Sequence, residues 1–236
     1  MASAHFAGVR LDAHDVELIA AFWAQTLGWD ARRLPTGEVL VNPPEPTSYP
    51  VIVCPGAGPK AAPNRIHFDL TTPSRNAMQD LLARARGLGA THADIGQSPD
   101  EPHMVLRDPE GNELCVIPPE NGFLAHTGDI GAINCDGSRA VGYFWSEALG
   151  WPLVWDQNQE TAIQAPTGGS KVTWSGPPLM SRHGRDRLRF EVSTTEPLPA
   201  AIRRLTSLGA TIDEEISATE ALMRDPDDRE FHLVTR

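Results

Sequence analysis

The sequence predicts an α+β fold assembled from four copies of a βαβββ module. Four Leu-Gly pairs recur along the 236 residues, beginning at Leu27, Leu88, Leu149 and Leu208, so that the intervals are 61, 61 and 59 residues. Each pair ends a segment whose apolar residues have helical spacing, and short strand-like segments follow. A repeat of this length indicates one supersecondary unit used four times.

Each helical segment carries a single apolar stripe. In the first copy the stripe consists of Val16, Ile19, Ala20, Trp23 and Leu27, which share one face of a helix with 3.6 residues per turn. The other three stripes lie between residues 78 and 88, 141 and 149, and 198 and 208. Helix N-caps are predicted at Asp15, Ser74 and Ser138.

Short strands are predicted on both sides of each helix. The strands that precede the helices are Gly8–Asp12, Arg65–Leu70, Ile130–Cys135 and Leu188–Val192. After the second helix the predicted strands are Thr91–Ile95, Met104–Arg107 and Glu113–Ile117, and the Asp-Pro turn that begins at Asp108 joins the last two as a hairpin. The fourth copy repeats this turn from Asp225.

The sequence also contains a clearer two-fold repeat, in which each copy spans two of the four modules. The pair Phe22-Trp23 returns as Phe144-Trp145, an offset of 122 residues, and the Arg-Asp-Pro sequence at residues 107–109 returns at 224–226. We therefore predict two tandem domains, residues 1–121 and 122–236, with a proline-rich boundary at 118–122. Modules one and two are expected to form the first domain and its cleft, and modules three and four the second.

Composition excludes several classes of partner. The net charge of −11 disfavours binding to nucleic acid or to an anionic membrane surface. No apolar run is long enough to span a bilayer, and the first residues lack the features of a signal peptide. Three cysteines without close spacing suit a reducing compartment, so a cytoplasmic location is expected.

The repeated helix motif, the His67-Phe68-Asp69-Leu70 strand and the Arg107–Val116 hairpin together resemble the vicinal oxygen chelate superfamily. This superfamily includes glyoxalase I, bleomycin-resistance proteins and extradiol dioxygenases, and the resemblance covers both halves. It implies two tandem glyoxalase/bleomycin-resistance/dioxygenase-like domains, each with a curved mixed sheet around a cleft. It further implies that divalent-metal ligands stand on the first and last strands of a module.

On this pattern, His67 and Glu113 are the candidate metal ligands and the candidate catalytic residues. The first module offers Gly8 at the corresponding place and no His, Asp or Glu in residues 51–54, so the ligand set is incomplete. Asp12 or Asp69 can add an oxygen if its side chain shares the cleft face with His67. Zinc, nickel, manganese, iron and magnesium all remain open.

The second half departs further from the ligand pattern. There Arg189 replaces His67 and Glu230 replaces Glu113, and a guanidinium–carboxylate pair can satisfy the acid without an ion. We therefore predict that Arg189 and Glu230 face each other and that this half has no metal. His232 alternates with Glu230 and is a candidate for lining the same cleft.

Four further residues are candidate ligand contacts, and each has a structural alternative. Arg10 projects into the first cleft or covers a partly exposed strand face. Cys115 shares a face with Glu113, or is a small buried thiol. Trp155 and Trp174 have no counterpart in the first half, so they either stack on a planar ligand or pack against the helix.

Three functions remain open from the sequence. The first is a metal-poor binding or resistance protein that holds a small organic metabolite or drug. The second is a lyase or isomerase of the glyoxalase type, in which a divalent ion on His67 and Glu113 assists proton transfer. The third is a scaffold with non-functional clefts. The expected form is a monomer whose two halves make an intramolecular pseudo-dimer, or a homodimer.

Overall fold

The computed structural model describes residues 4–44, 48–93 and 102–236. Module one consists of β1 (Ala4–Ala13), α1 (Val16–Leu27), β2 (Asp30–Arg33), β3 (Val39–Asn42) and β4 (Val51–Pro55). Module two consists of β5 (Ile66–Leu70), α2 (Arg75–Gly87), β6 (Thr91–His92), β7 (Met104–Arg107) and β8 (Glu113–Val116). The predicted strand Thr91–Ile95 extends beyond the described residues after position 93.

The second half repeats this order. Module three consists of β9 (Ile130–Cys135), α3 (Arg139–Leu149), β10 (Leu153–Gln157), β11 (Glu160–Gln164) and β12 (Lys171–Trp174). Module four consists of β13 (Leu188–Thr194), α4 (Leu198–Ser207), β14 (Thr211–Ser217), β15 (Glu220–Arg224) and β16 (Glu230–Thr235). The four βαβββ modules of the α+β prediction are thereby confirmed.

The helices begin where the sequence predicts them to begin. The side chains of Asp15, Ser74 and Ser138 accept hydrogen bonds from the backbone N–H groups of Leu18, Ala77 and Val141, respectively. Such bonds satisfy N–H groups that have no partner inside the helix. In both halves the first helix ends at a left-handed glycine, Gly28 or Gly150.

The strands form two eight-stranded sheets, and each sheet combines modules from both halves of the chain. Sheet one has the order β14-β15-β16-β13-β1-β4-β3-β2 and joins module four to module one. Sheet two has the order β10-β11-β12-β9-β5-β8-β7-β6 and joins module three to module two. At each centre the first strands of two modules pair antiparallel, β1 with β13 and β5 with β9.

This pairing corrects the expected composition of the clefts. Modules one and two do not share a sheet, so Arg10 and Asp12 on β1 lie in a different sheet from His67 and Asp69 on β5. The sequence repeat shows which segments were duplicated, but every first strand has a similar pattern and the repeat does not show which copies pair. The boundaries 1–121 and 122–236 remain predictions.

Contacts within each half link its two modules to each other. The Trp23 indole N–H donates to the Asp108 carboxylate at 3.3 Å, so α1 of module one is fastened to the β7–β8 turn of module two. Trp145 donates to Asp225 at 3.0 Å in the same way. Because the sheets join the halves and these bonds join modules within a half, all four modules are mutually connected.

Helices and sheets share one large apolar core, and a smaller apolar cluster that includes Cys115, Ile117 and Leu124 is separate from it. Helix α1 packs against β3 and β4, and α3 packs against β11 and β12. Phe68 and Leu114 of sheet two belong to this core, as do Leu11 and Phe190 of sheet one. The side chains that alternate with these residues point to the opposite face of each sheet, called the inner face below. No helix in the described ranges is long and apolar enough to span a membrane.

Candidate functional site

The inner face of sheet two collects the polar residues predicted on β5 and β8. Phe68 pairs with Leu114 in the β5–β8 ladder, and both side chains enter the core. Strand alternation therefore sends His67 and Asp69 to the inner face on β5, and Glu113 and Cys115 to the same face on β8. The sequence prediction that these four side chains share a face agrees with this register.

His67, Asp69 and Cys115 form a compact cluster on this face. One nitrogen, one oxygen and one sulfur atom from these residues lie within 4.8 Å of one another. The His67 Nε2 atom is 3.4 Å from Asp69 Oδ1. Burial opposes a charged imidazole, but the bonds to Asp69 and Cys115 outweigh it and raise the pKa of His67 to about 10. His67 is therefore an imidazolium at neutral pH.

Both carboxylate oxygens of Glu113 accept hydrogen bonds from residues outside this cluster. The Lys60 ammonium donates to Glu113 Oε1 at 2.7 Å, and the backbone N–H of Asn64 donates to Oε2 at 3.1 Å. Both donors belong to the segment that connects β4 with β5. The structure thus brings His67 together with Asp69 and Cys115, and holds Glu113 beside them through a lysine that sequence analysis did not select.

The cluster has the donor set of a metal site. Imidazole nitrogen, carboxylate oxygen and thiolate sulfur are all ligands for zinc and related ions, and three protein ligands leave a position open. Burial raises the pKa of the Cys115 thiol, and His67 carries a proton, so an ion must displace protons to bind. Because of these donor types, His67, Asp69 and Cys115 can hold a metal ion.

A cavity of about 320 Å³ adjoins the cluster at Asp69. On its polar side the Asn134 amide donates to Asp69 Oδ2 at 3.4 Å. On its apolar side the Phe123 and Trp155 rings meet edge to face with centroids 5.7 Å apart. The Lys171 ammonium lies 4.0 Å from the Phe123 ring centroid. The lining residues are Asp69, Ile117, Asn121, Phe123, Leu124, Asn134, Trp155, Glu160, Thr161, Ala162, Thr173, Trp174 and Ser175.

The two candidate tryptophans of module three have different positions. Trp155 pairs with Ala162 and contacts Phe123 at the cavity. Trp174 borders the cavity, but its indole packs against α3: a Cβ atom added to Gly142 would lie 3.2 Å from the ring. Trp174 is 1% exposed and belongs to the core. Trp174 therefore has the helix-packing position that was the alternative for it, while Thr173 takes the inner position on β12, and a ligand contact of Trp174 stays a prediction.

The inner face of sheet one is occupied by ion pairs. The Arg189 guanidinium, 1% exposed, donates to both oxygens of Asp12 at 2.8 and 2.6 Å. Its Nε donates to His232 Nε2 at 3.4 Å, while His232 Nδ1 lies 2.7 Å from Glu220 Oε1. Burial and the nearby guanidinium groups of Arg10, Arg189 and Arg185 lower the pKa of His232 to about 2, so the ring is neutral and Nδ1 donates to Glu220.

The predicted Arg189–Glu230 pair is not the pair that forms. Glu230 binds Arg182, and Arg224 approaches the same oxygen at 3.5 Å. Arg189 binds Asp12 because β13 lies beside β1, a neighbour that the sequence repeat did not identify. Asp12 is correspondingly absent from the His67 cluster.

Arg10 lies at the centre of a second group of charges on this face. Its guanidinium donates to Glu191 at 2.8 Å, binds Glu38, and lies 3.7 Å from Glu220. A cavity of about 540 Å³ opens above these residues. The predicted inward direction of Arg10 agrees with the structure, and its neighbours are carboxylates from three different strands or turns.

Sequence analysis missed Lys60, Phe123, Asn134 and Glu191. Asn134 and Glu191 had a usable signal, because the two-fold repeat places them at the positions of Asp12 and Asp69, respectively. Lys60 and Phe123 lie in connecting segments, where no periodic pattern fixes the direction of a side chain.

Comparison with known proteins agrees with this architecture. The family model described as a glyoxalase-like domain matches the chain twice, over residues 8–117 and 131–234. The chain belongs to the glyoxalase-like domain family. No curated protein matches this glyoxalase-like chain.

Solved structures share the fold of this glyoxalase-like protein at low sequence identity. Glyoxalase I from Zea mays is 15% identical, with a TM-score of 0.68 over 99% of this chain and 92% of the maize chain. A putative dioxygenase from Bacillus subtilis subsp. subtilis str. 168 is 12% identical, with a TM-score of 0.62 over 98% of this chain and 84% of that one. At these identities the similarity establishes the fold.

Proposed function

We propose that this glyoxalase-like protein binds a small, flat organic molecule in the cavity of sheet two. The observation that carries the proposal is the contrast between the walls of this cavity. The Phe123 and Trp155 rings offer apolar surface on one side, and Asp69 and Asn134 offer polar atoms on the other. A concave site with mostly apolar walls and a few convergent polar groups is typical of small-molecule binding.

We propose the following orientation for such a ligand. A planar ring stacks on the aromatic side, because aromatic faces are the largest apolar surfaces of the cavity. An oxygen substituent then points towards Asn134 and the His67–Asp69 pair. The Asn134 amide can donate to a ligand oxygen and the Asp69 carboxylate can accept from a hydroxyl group, so a carbonyl or phenol end fits this side.

Tryptophan fluorescence with a panel of planar aromatic carbonyl and phenol compounds tests the proposal. A compound that binds wild type should lose about 1–3 kcal/mol of binding free energy in Trp155→Ala and in Asn134→Ala. Arg32→Ala, which changes the rim of the other cavity, is the control and should bind normally. Equal affinity in all four proteins would exclude the cavity as the binding site. A panel without any binder would favour the scaffold function.

A metal-dependent lyase or isomerase is the second candidate, because three donor atoms of different residues lie within 4.8 Å. His67, Asp69 and Cys115 would hold the ion, which supplies polarisation of a bound oxygen. Asp69 orients the imidazole through the 3.4 Å contact, and Glu113 is held by Lys60 as the second carboxylate of the site. The catalytic roles of His67 and Glu113 remain predictions.

Elemental analysis separates the two functions. Protein purified without chelator should contain a stoichiometric divalent ion if the lyase function is right, and His67→Ala should lose it. Ligand binding that persists in chelator-treated protein supports the first proposal.

Both sheets are formed within one chain, so we propose a monomer with an internal pseudo-dimer. The three cysteines are free and buried, which suits a cytosolic location.

A further inference from the structure

The two connecting segments that lead into β5 and β13 carry equivalent ion pairs. In the first half Lys60 binds Glu113 at the start of β8. In the second half Arg182 binds Glu230 at the start of β16. The two cations are 122 residues apart and the two carboxylates 117, which are the offsets of the internal repeat. The same arrangement therefore occurs once in each sheet.

Glu113 is placed to reach the His67 cluster. It shares the inner face with Cys115, two residues further along β8, and continuing the β5–β8 register by one residue from the Phe68–Leu114 pair places it beside His67. The cluster already brings together a nitrogen, an oxygen and a sulfur ligand atom. Glu113 is not one of these three residues, and its carboxylate must leave Lys60 and turn towards the cluster to add a fourth donor from the neighbouring strand.

Lys60 holds the Glu113 carboxylate in its present position. Its ammonium is fixed by two acceptors, Glu113 Oε1 at 2.7 Å and the Ala62 carbonyl at 2.8 Å, and the side chain is only 16% exposed. A divalent ion on the cluster would compete with this ammonium for the carboxylate. It would also be repelled by the ammonium, because a half-buried charge is poorly screened.

We propose that Lys60 is an internal cation that sets the divalent-ion affinity of the inner face of sheet two by occupying Glu113. The positive charge beside Glu113 thus belongs to a side chain of the protein and not to a bound ion. Removing the ammonium leaves Glu113 with only the Asn64 N–H at 3.1 Å and the 41% exposed Arg107 at 3.9 Å, so that the carboxylate turns towards His67, Asp69 and Cys115 and becomes a fourth ligand.

The equivalent site of sheet one behaves differently. Arg182 binds Glu230 there, but Arg224 lies 3.5 Å from the same carboxylate. The buried neighbours Arg189 and His232 are bonded to Asp12 and Glu220. Loss of Arg182 leaves Arg224 near Glu230, much as loss of Lys60 leaves Arg107 near Glu113. The difference is that Arg189 takes the position of His67, and a guanidinium cannot bind an ion, so no ion site follows. Arg182→Met is a matched control for Lys60→Met.

Titration with Co²⁺ under reducing conditions, followed by visible absorption, tests the proposal. Lys60→Met should bind Co²⁺ about ten- to a hundredfold more tightly than wild type and show the absorption of a thiolate-bound tetrahedral ion. Lys60→Met/Glu113→Gln should lose this gain, and Arg182→Met should bind as wild type does.

Thermal melting establishes that each variant is folded, and Lys60→Ala replaces Lys60→Met if the methionine variant is unstable. Equal Co²⁺ affinity in wild type and the folded Lys60 variant would overturn the proposal, as would a gain that survives Glu113→Gln. Organic ligand binding is measured separately, so its failure does not affect this result.

Discussion

Arg189 and Asp12 form a buried, bidentate ion pair that ties the last module of the chain to the first. Both guanidinium NH groups reach the carboxylate, at 2.8 and 2.6 Å, between the adjacent strands β13 and β1. Arg189 also donates to His232, and its NH1 group donates to the Asp186 carbonyl. The guanidinium is therefore satisfied on several sides, as a buried charge must be.

Breaking this pair should destabilise the fold strongly. Asp12→Ala leaves a buried guanidinium without its carboxylate, and the free energy of unfolding is expected to fall by about 3–5 kcal/mol. The measurement is urea denaturation followed by tryptophan fluorescence. The double variant Asp12→Leu/Arg189→Met should regain much of the loss, since it buries no charge.

An exposed pair supplies the comparison. Arg75 and Glu120 are 2.9 Å apart, but both side chains are about three-fifths exposed. Arg75→Ala should change the free energy of unfolding by less than about 1 kcal/mol. A similar loss in Asp12→Ala and Arg75→Ala would contradict the assigned role of the buried pair.

His232 should make the stability of the protein fall in acid. Its folded pKa of about 2 lies below the unfolded value of about 6.5. Between these values the unfolded chain binds a proton that the native ring does not, so unfolding is favoured as the pH falls. Above about pH 6.5 both states are neutral and the contribution disappears.

The variant His232→Gln isolates this effect. Glutamine keeps a neutral donor near Glu220 but does not titrate. From about pH 6 to pH 5 the free energy of unfolding of wild type should decline more steeply than that of the variant, by about 1 kcal/mol per pH unit. Parallel stability curves would show that the pKa of His232 is the same in the native and unfolded states.

Local structure was well predicted from the sequence. The stripe from Val16 to Leu27, the cap at Asp15 and the shared face of His67 and Cys115 all follow from periodicities of 3.6 and 2 residues, which depend on neighbours along the chain. The partner of Arg189 depends on which first strands pair, and all four first strands have the same pattern. That choice rests on contacts between distant segments.

The candidate site was only partly predictable for the same reason. His67, Asp69, Glu113 and Cys115 were found because they lie on strands. Lys60 lies in a connecting segment rich in proline, and the direction of its side chain depends on the Glu113 carboxylate that it meets. Sequence analysis therefore identified Glu113 but not Lys60, the cation that binds it.

Trp155 and Trp174 should respond differently to truncation. Trp174 is 1% exposed and packs against α3, so Trp174→Ala is expected to cost about 3–5 kcal/mol of unfolding free energy. Trp155 is partly exposed at the cavity, so Trp155→Ala should cost about 1 kcal/mol or less. Chemical denaturation of both variants measures the difference, and equal losses would show that Trp155 also belongs to the core.

Gly142 on α3 should resist replacement by alanine. A Cβ atom at this position would lie 2.0 Å from Thr161 Oγ1 and 2.7 Å from its Cβ, on the strand that α3 covers. The helix or the strand must then shift, at a cost of about 1–3 kcal/mol, which exceeds the gain of about 1 kcal/mol from the better helix propensity of alanine.

Gly87 at the end of α2 is the matched control, because a Cβ atom there meets nothing within 4 Å. Gly87→Ala should stabilise the protein slightly or leave it unchanged, while Gly142→Ala should lower the melting temperature. The Thr161→Ser change cannot relieve the Cβ contact, so it should restore little of the loss in Gly142→Ala. If Gly142→Ala raised the melting temperature, α3 would have to stand further from β11 than the structure places it.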